Sequence, residues 1–139
     1  MADHVDKQLH IDAPIDRVWA ALTDRAAIGA WMGDEDEVAF DLRVGGAYQF
    51  FGGATTGVLR HVHQPHELEY TWRQDEWAPE WPDSVVRWTL APDGEGTAVR
   101  LTHSALPNEA ERDSHAEGWD TYWLEPMQAW LEADEDEAD

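Results

Sequence analysis

The sequence predicts an α+β domain: an antiparallel sheet of about six or seven strands covered by one long C-terminal helix, with two short helices after the first strand. Three observations predict it. Apolar and polar residues alternate in a series of short segments divided by glycine- and proline-containing turns, as in a sheet with one face in water. From Asn108 to about Ala133 the period changes, and Trp119, Tyr122, Trp123, Met127, Trp130 and Leu131 recur at spacings of three and four, one apolar face of a helix. The 139 residues are enough for one good core and too few for two.

Val5–Ile11 alternates and reads as a half-buried strand. Asp12-Ala-Pro14 stops it and starts a helix, with Ile15, Val18, Trp19 and Leu22 at helical spacing. Thr23 or Asp24 caps a second short helix to Trp31, ended by Gly33. Strand signals come next at Val38–Leu42, at Tyr48 and Phe50, and at Gly57–Val62, with Gly45-Gly46 and Gly52-Gly53 as turns. Pro65 ends that series. Leu68–Trp72, Val86–Leu90 and Val99–His103 then alternate cleanly, the last two joined by the Asp93–Gly96 turn. Pro126 sits inside the final helical pattern and predicts a kink or interruption there. Residues 1–131 form the expected single domain, and 132–139, EADEDEAD, a solvated acidic tail.

Charge bounds the setting. Thirty acidic residues against nine basic ones give a formal net charge of −21, and Lys7 is the one lysine. Self-repulsion on this scale opposes compaction, and molar salt, with a Debye length of about 3 Å, screens it. A salt-rich cytoplasm is therefore the expected environment. Nucleic acids and anionic membrane surfaces would be repelled. No apolar run is long enough for a membrane span, and no charged-then-apolar leader opens the chain. The absence of Cys excludes disulfides, thiol catalysis and thiolate metal ligation.

The segment IDAPIDRVWAALTD, followed by Trp31, resembles the opening of the START-like, or SRPBCC, superfamily. VGGAYQF, GVLRHVHQPHELEYTW, SVVRWTLAPDGEGTAVRLTHSALP and HAEGWDTYW are, as an ordered set, similar to the subfamily named for the activator of the heat shock protein 90 ATPase. The resemblance runs from about Lys7 to about Leu131. It implies a helix-grip fold, in which a curved antiparallel sheet wraps the C-terminal helix, and an internal cavity that accepts a small hydrophobic or amphipathic molecule. Pro126 departs from it, standing where the family carries a core aliphatic residue. So does the lack of the separate N-terminal domain that accompanies this module in the full co-chaperone.

The residues expected to wall that cavity come from the alternating faces and the helix face. From the sheet side they are Phe40, Tyr48, Phe50, Tyr70, Trp72, Trp88, Leu101 and His103. Trp31 closes one end, and Trp119, Tyr122 and Trp123 face the sheet from the helix. Flat rings supply apolar contact, and indole N–H and phenol O–H groups supply orientation. An ordinary packed core uses the same residues. His103, on the apolar side of its strand, reads either as a satisfied structural histidine or as a polar contact or acid–base group. His61, His63 and His66 cluster around Pro65; His61 and His63 share a side of their strand, but no partner carboxylate is fixed by spacing, so no metal is expected. Trp77 and Trp81, in an acidic loop, require cover, which a lid, a homodimer or protein partner, or their own loop would give. Ser84, Ser104 and Ser114 lie in no nucleophile-elbow context, and no phosphate-binding glycine loop is present. No catalytic residue and no cofactor are therefore expected. Three functions stay open: a ligand-binding module, a co-chaperone-like module that stimulates a heat-shock ATPase, and a cyclase- or dehydratase-type enzyme using His103.

Overall fold

The computed structural model describes residues 4–32 and 38–137, with side chains to residue 133. Gly33, expected to end the second helix, lies outside the described residues. The elements are β1 (Val5–Ile11), α1 (Ile15–Thr23), α2 (Arg25–Met32), β2 (Ala39–Phe40), β3 (Ala47–Phe50), β4 (Thr55–His63), β5 (Glu67–Gln74), β6 (Ser84–Asp93), β7 (Gly96–Ser104), α3 (Glu109–Gly118) and α4 (Glu125–Glu137). A π-helical turn, Trp119–Leu124, joins α3 to α4. All seven strands form one antiparallel sheet in the order β1-β7-β6-β5-β4-β3-β2. This is the helix-grip arrangement. No helix among the described residues is long and apolar enough to cross a membrane.

Strict alternation sets the register. Leu68, Tyr70 and Trp72 on β5, Val86, Trp88 and Leu90 on β6, and Val99, Leu101 and His103 on β7 are all buried. A slip of one residue would turn every one of them to water. Gly57 is fixed by close approach: a Cβ there would stand 2.0 Å from Thr71 O and 2.5 Å from the ring of Tyr48, its cross-strand partner. The strand expected at Val38–Leu42 shrinks to two residues, because Asp41–Gly46 folds into a turn closed by Arg43 N–H to Asp41 O and Gly46 N–H to Arg43 O. Leu42 is left exposed.

The C-terminal helix departs most from expectation. Asn108 caps α3, its side chain accepting from Glu111 N–H at 2.9 Å. The interruption then comes before Pro126 rather than at it. Proline lacks an N–H and crowds the carbonyl of residue i−4, here Tyr122. A π turn over Trp119–Leu124 removes that conflict by widening the helix one turn earlier; the Glu125 N–H reaches back to Asp120 O. The wider turn rotates less per residue, so Trp119, Trp123 and Leu124 share the buried side while Tyr122, read from spacing as part of the apolar face, is 66% exposed. α4 continues that side with Met127 and Leu131, both fully buried, and runs on into the acidic segment. There Glu132 Oε2 accepts from Asp12 N–H at 3.1 Å.

Candidate functional site

β5, β6 and β7 deliver Trp72, Ser84 and His103 to the sheet face under the helix, and α3 with the π turn delivers His115, Trp119 and Trp123 onto them. The rings interlock. Trp119 lies 5.0 Å from Trp72 and 4.9 Å from Trp123, and Phe50 lies 5.0 Å from Trp123. Trp31 of α2 closes the other side at 5.3 Å from Trp123, its indole N–H held by Ala21 O at 2.8 Å.

A buried polar chain threads these rings, and its donors fix every proton. Trp119 Nε1–H donates to His103 Nδ1 at 3.0 Å, so that nitrogen carries the lone pair. His103 Nε2 therefore bears the hydrogen and donates to Ser84 Oγ at 2.8 Å, and Ser84 Oγ–H donates to Trp72 O at 2.8 Å. Ser84 and His103 stand at dyad distance, yet the proton runs from histidine to serine. That direction is opposite to the one that activates a nucleophile. Both ring nitrogens of His103 are engaged and the residue is fully buried. Burial, and after it the neighbouring His115, holds His103 well below the ordinary histidine range.

His115 repeats the pattern in the other tautomer. Trp72 Nε1–H donates to His115 Nε2 at 3.2 Å, and His115 Nδ1–H donates to Glu111 O at 2.8 Å. Elsewhere in the core, Trp88 Nε1–H donates to Tyr70 Oη at 2.9 Å. Burial pushes the phenols of Tyr48 and Tyr70 upward, so both stay neutral.

Beside this core, where the π turn passes β5 and the end of β3, lies a pocket of about 270 Å³. Its apolar walls are Phe51, Trp72, Trp119, Tyr122 and Trp123; Thr55, Gln74, Glu111, Ser114 and His115 supply polar groups. Of the twelve residues expected to line a cavity, Trp72, Trp119, Tyr122 and Trp123 meet here. Trp31, Phe40, Tyr48, Phe50, Tyr70, Trp88, Leu101 and His103 are not among its walls. Most of them pack ring to ring in the core, as with Tyr48 at 4.8 Å from both Phe50 and Tyr70, and Phe40 at 6.3 Å from Tyr70. The rim is apolar and exposed, with Tyr122 at 66% and Phe51 at 45%. Phe51 has φ 57°, the left-handed region that a bulky residue rarely adopts. Such strain costs about 1–3 kcal/mol and gathers at functional sites.

Sequence reasoning missed Phe51, Glu111 and His115. For His115 a signal existed: it stands four residues before Trp119, continuing the buried face one turn back.

Trp77 is buried and satisfied within the chain. Its N–H donates to Glu111 Oε1 at 2.9 Å, and its ring stands 6.0 Å from His115 and 6.2 Å from Trp81. Of the two rings that require cover, Trp77 finds it within the chain, while Trp81 is only partly buried. Arg73 braces the loop, donating to Trp81 O at 2.6 Å and Ala78 O at 2.7 Å. His61 and His63 lie on the far end of β4, remote from the pocket.

Fold and site together define a single-layer sheet gripping a helix, with an aromatic pocket at one end of the grip: a START-like, SRPBCC domain. Within that superfamily the chain belongs to the Activator of Hsp90 ATPase homolog 1-like protein family, which residues 12–132 match. It is 28% identical over 86 residues to the "Activator of 90 kDa heat shock protein ATPase homolog" of Dictyostelium discoideum, a match covering 61% of this chain and 22% of that protein. The chain thus spans about a fifth of that relative's length. In structure it resembles an HSP90 activator from Plasmodium falciparum, with a TM-score of 0.85 and 20% identity over 93% of this chain and 96% of that one. CalU16 from Micromonospora echinospora is similar at a TM-score of 0.76 and 27% identity, over 92% of this chain and 73% of that one.

Proposed function

We propose that this protein binds a small, flat, hydrophobic or amphipathic molecule in the pocket between β5 and the π turn. The observation that carries the reading is the composition of the walls. Three indoles, a phenol and a phenyl ring supply stacking surface, while Thr55 and Gln74 supply a few polar groups at fixed positions. Recognition of small molecules needs that combination. Thr55 Oγ1–H donates to Gln74 Oε1 at 2.8 Å, which directs the Gln74 amide hydrogens elsewhere. The volume suits a ligand of one or two rings.

The test is a thermal-shift and tryptophan-quenching screen with planar aromatic probes. A binder should raise the midpoint in a concentration-dependent way, because it stabilises only the folded state. Ser114→Trp, at an exposed helix position on the pocket wall, should abolish the shift and leave the unliganded midpoint nearly unchanged. Absence of any shift across the panel, or an unaltered shift in Ser114→Trp, would overturn the proposal.

A second reading draws on the family description and the name of the Dictyostelium relative: contact with a heat shock 90 ATPase through the exposed rim rings. Stimulation of such an ATPase by the wild-type chain and not by Phe51→Ala/Tyr122→Ala would favour it.

The proposed setting is a salt-rich cytoplasm. A net charge of −21 should make the midpoint climb between dilute buffer and molar KCl, and a flat profile would remove that part of the reading.

A further inference from the structure

The β4–β5 hairpin carries a second constellation at its far end. β4 and β5 pair from Thr55↔Gln74 beside the pocket to His63↔Glu67 at the turn, a run of about 25 Å at the usual strand rise. We propose that His61, His63 and Glu67 form a binding site for a divalent transition-metal ion of the zinc class.

The chain folds so as to bring these three groups together. The register shifts between Leu59 and His61, a β-bulge. Without it His61 would share the inner face with fully buried Leu59, because residues two apart on a strand point the same way. The extra residue re-aims the remainder of the strand. Val62 turns toward the core, and His61 and His63 turn to solvent. Glu67, the cross-strand partner of His63, completes the set.

The ligand atoms of the three side chains lie within 4.8 Å of one another, and His61 Nε2 already stands 2.9 Å from Glu67 Oε1. In a tetrahedral site with bonds of about 2.0–2.2 Å, ligand atoms stand about 3.3 Å apart. Small side-chain rotations in the open reach that spacing. The backbone beneath is fixed on both sides: His66 N–H donates to His63 O at 2.8 Å, and Leu90 N–H to His66 O at 2.8 Å. Arg87 donates to Glu67 at 3.0 Å and to Glu69 at 3.1 Å, holding the carboxylate at the site before a metal arrives.

The donor set selects the ion. Two imidazoles and one carboxylate suit zinc, nickel or copper, whereas magnesium and calcium require mostly oxygen. Three protein ligands leave a fourth position for water or for a donor from another molecule. This site is independent of the pocket and of the function proposed for it.

Thirty acidic residues attract any divalent cation weakly, so the decisive measurement is a difference between variants. The tag-free full chain is titrated with zinc chloride by calorimetry in molar KCl, with and without excess magnesium. One equivalent should bind, and magnesium should not displace it. His61→Ala and His63→Ala should each weaken binding by about tenfold or more, the scale on which lesser, outer-shell changes already act. Glu67→Gln should weaken it less. Cobalt(II) should give visible absorption in the wild type and none in the His61→Ala/His63→Ala double variant, whose folding is checked by circular dichroism. Wild-type zinc affinity in a folded double variant, or displacement by magnesium, would overturn the proposal.

Discussion

The two halves of the C-terminal helix are held in different ways. Past the π turn, α4 is anchored by a thioether and an aliphatic group: Met127 and Leu131 are fully buried, and α4 packs beside α1, α2 and β1. Its polar contacts are peripheral, as where Gln128 donates to His10 O at 2.9 Å. Before and within the turn, α3 and Trp119–Trp123 are anchored through indoles and imidazoles, and the ring nitrogens of Trp72, His103, His115 and Trp119 are each committed to a named partner. The first half needs volume and hydrophobicity. The second also needs each ring in one orientation, since a misplaced donor leaves another buried atom unpaired. The demanding half is the one that borders the pocket.

Truncation at the centre of the demanding half should have the largest effect. Trp119→Ala removes a fully buried ring and should cost about 3–5 kcal/mol, read by urea unfolding in high salt. A cost under about 1 kcal/mol, that of a surface site, would place Trp119 outside the core and dissolve the distinction.

A subtler pair of substitutions sharpens it. Trp119→Phe keeps most of the ring but strips His103 Nδ1 of its donor, and should cost about 1–3 kcal/mol. Leu131→Met in the aliphatic half, a near volume-conserving change, should cost less than about 1.5 kcal/mol. Equal costs would mean that the polar chain contributes nothing of its own.

Acid should strain the demanding half first. His103 sits well below the ordinary histidine range in the fold, through burial and then His115. Above about pH 6.5 it is neutral in both states, and its contribution is complete. As the pH falls below that value the unfolded chain takes up a proton that the folded chain refuses, so stability is lost with acid until the folded pKa is reached. His10, raised by Asp93 and Asp12, acts in the opposite sense and is common to all variants. His103→Gln should therefore be less stable at neutral pH but lose stability less steeply between about pH 6.5 and 5, the range set by the unfolded histidine.

The smallest stability effect belongs to the rim. Tyr122→Ala should change stability by no more than about 0.5 kcal/mol, the scale of a surface site, while weakening whichever probe binds the pocket. A loss of stability without a loss of binding would assign Tyr122 to packing.

The sheet was legible because alternation is a local signal. Leu68-Tyr70-Trp72 and Val99-Leu101-His103 declare their inner face within five residues, and an antiparallel sheet of six or seven strands comes from counting such runs. The pocket was not legible in the same way. Spacings of three and four do not separate an α turn from a π turn, so they put Tyr122 on the buried face, and Pro126 signals an irregularity without saying on which side of it the helix yields. Phe51 was hidden because a glycine pair after it announces a turn but not which residue adopts positive φ. His115 escaped because an imidazole does not count as apolar, although a histidine receiving an indole N–H packs as one. At the hairpin, a bulge shifts the pairing by one residue, so the carboxylate that faces His61 and His63 could not be read from separation along the chain.

The π turn has a mechanical consequence. In an unbroken α-helix the rotation that seats Trp119 also dictates where Leu131 points, three turns later. One extra residue in a turn slips the phase between the two halves by about 100°. Each half can then settle against its own neighbours, like two gears keyed to one shaft at different angles. Trp119 and Leu131 are thus both buried on one continuous helix, although an unbroken α-helical phase would not set them on the same side.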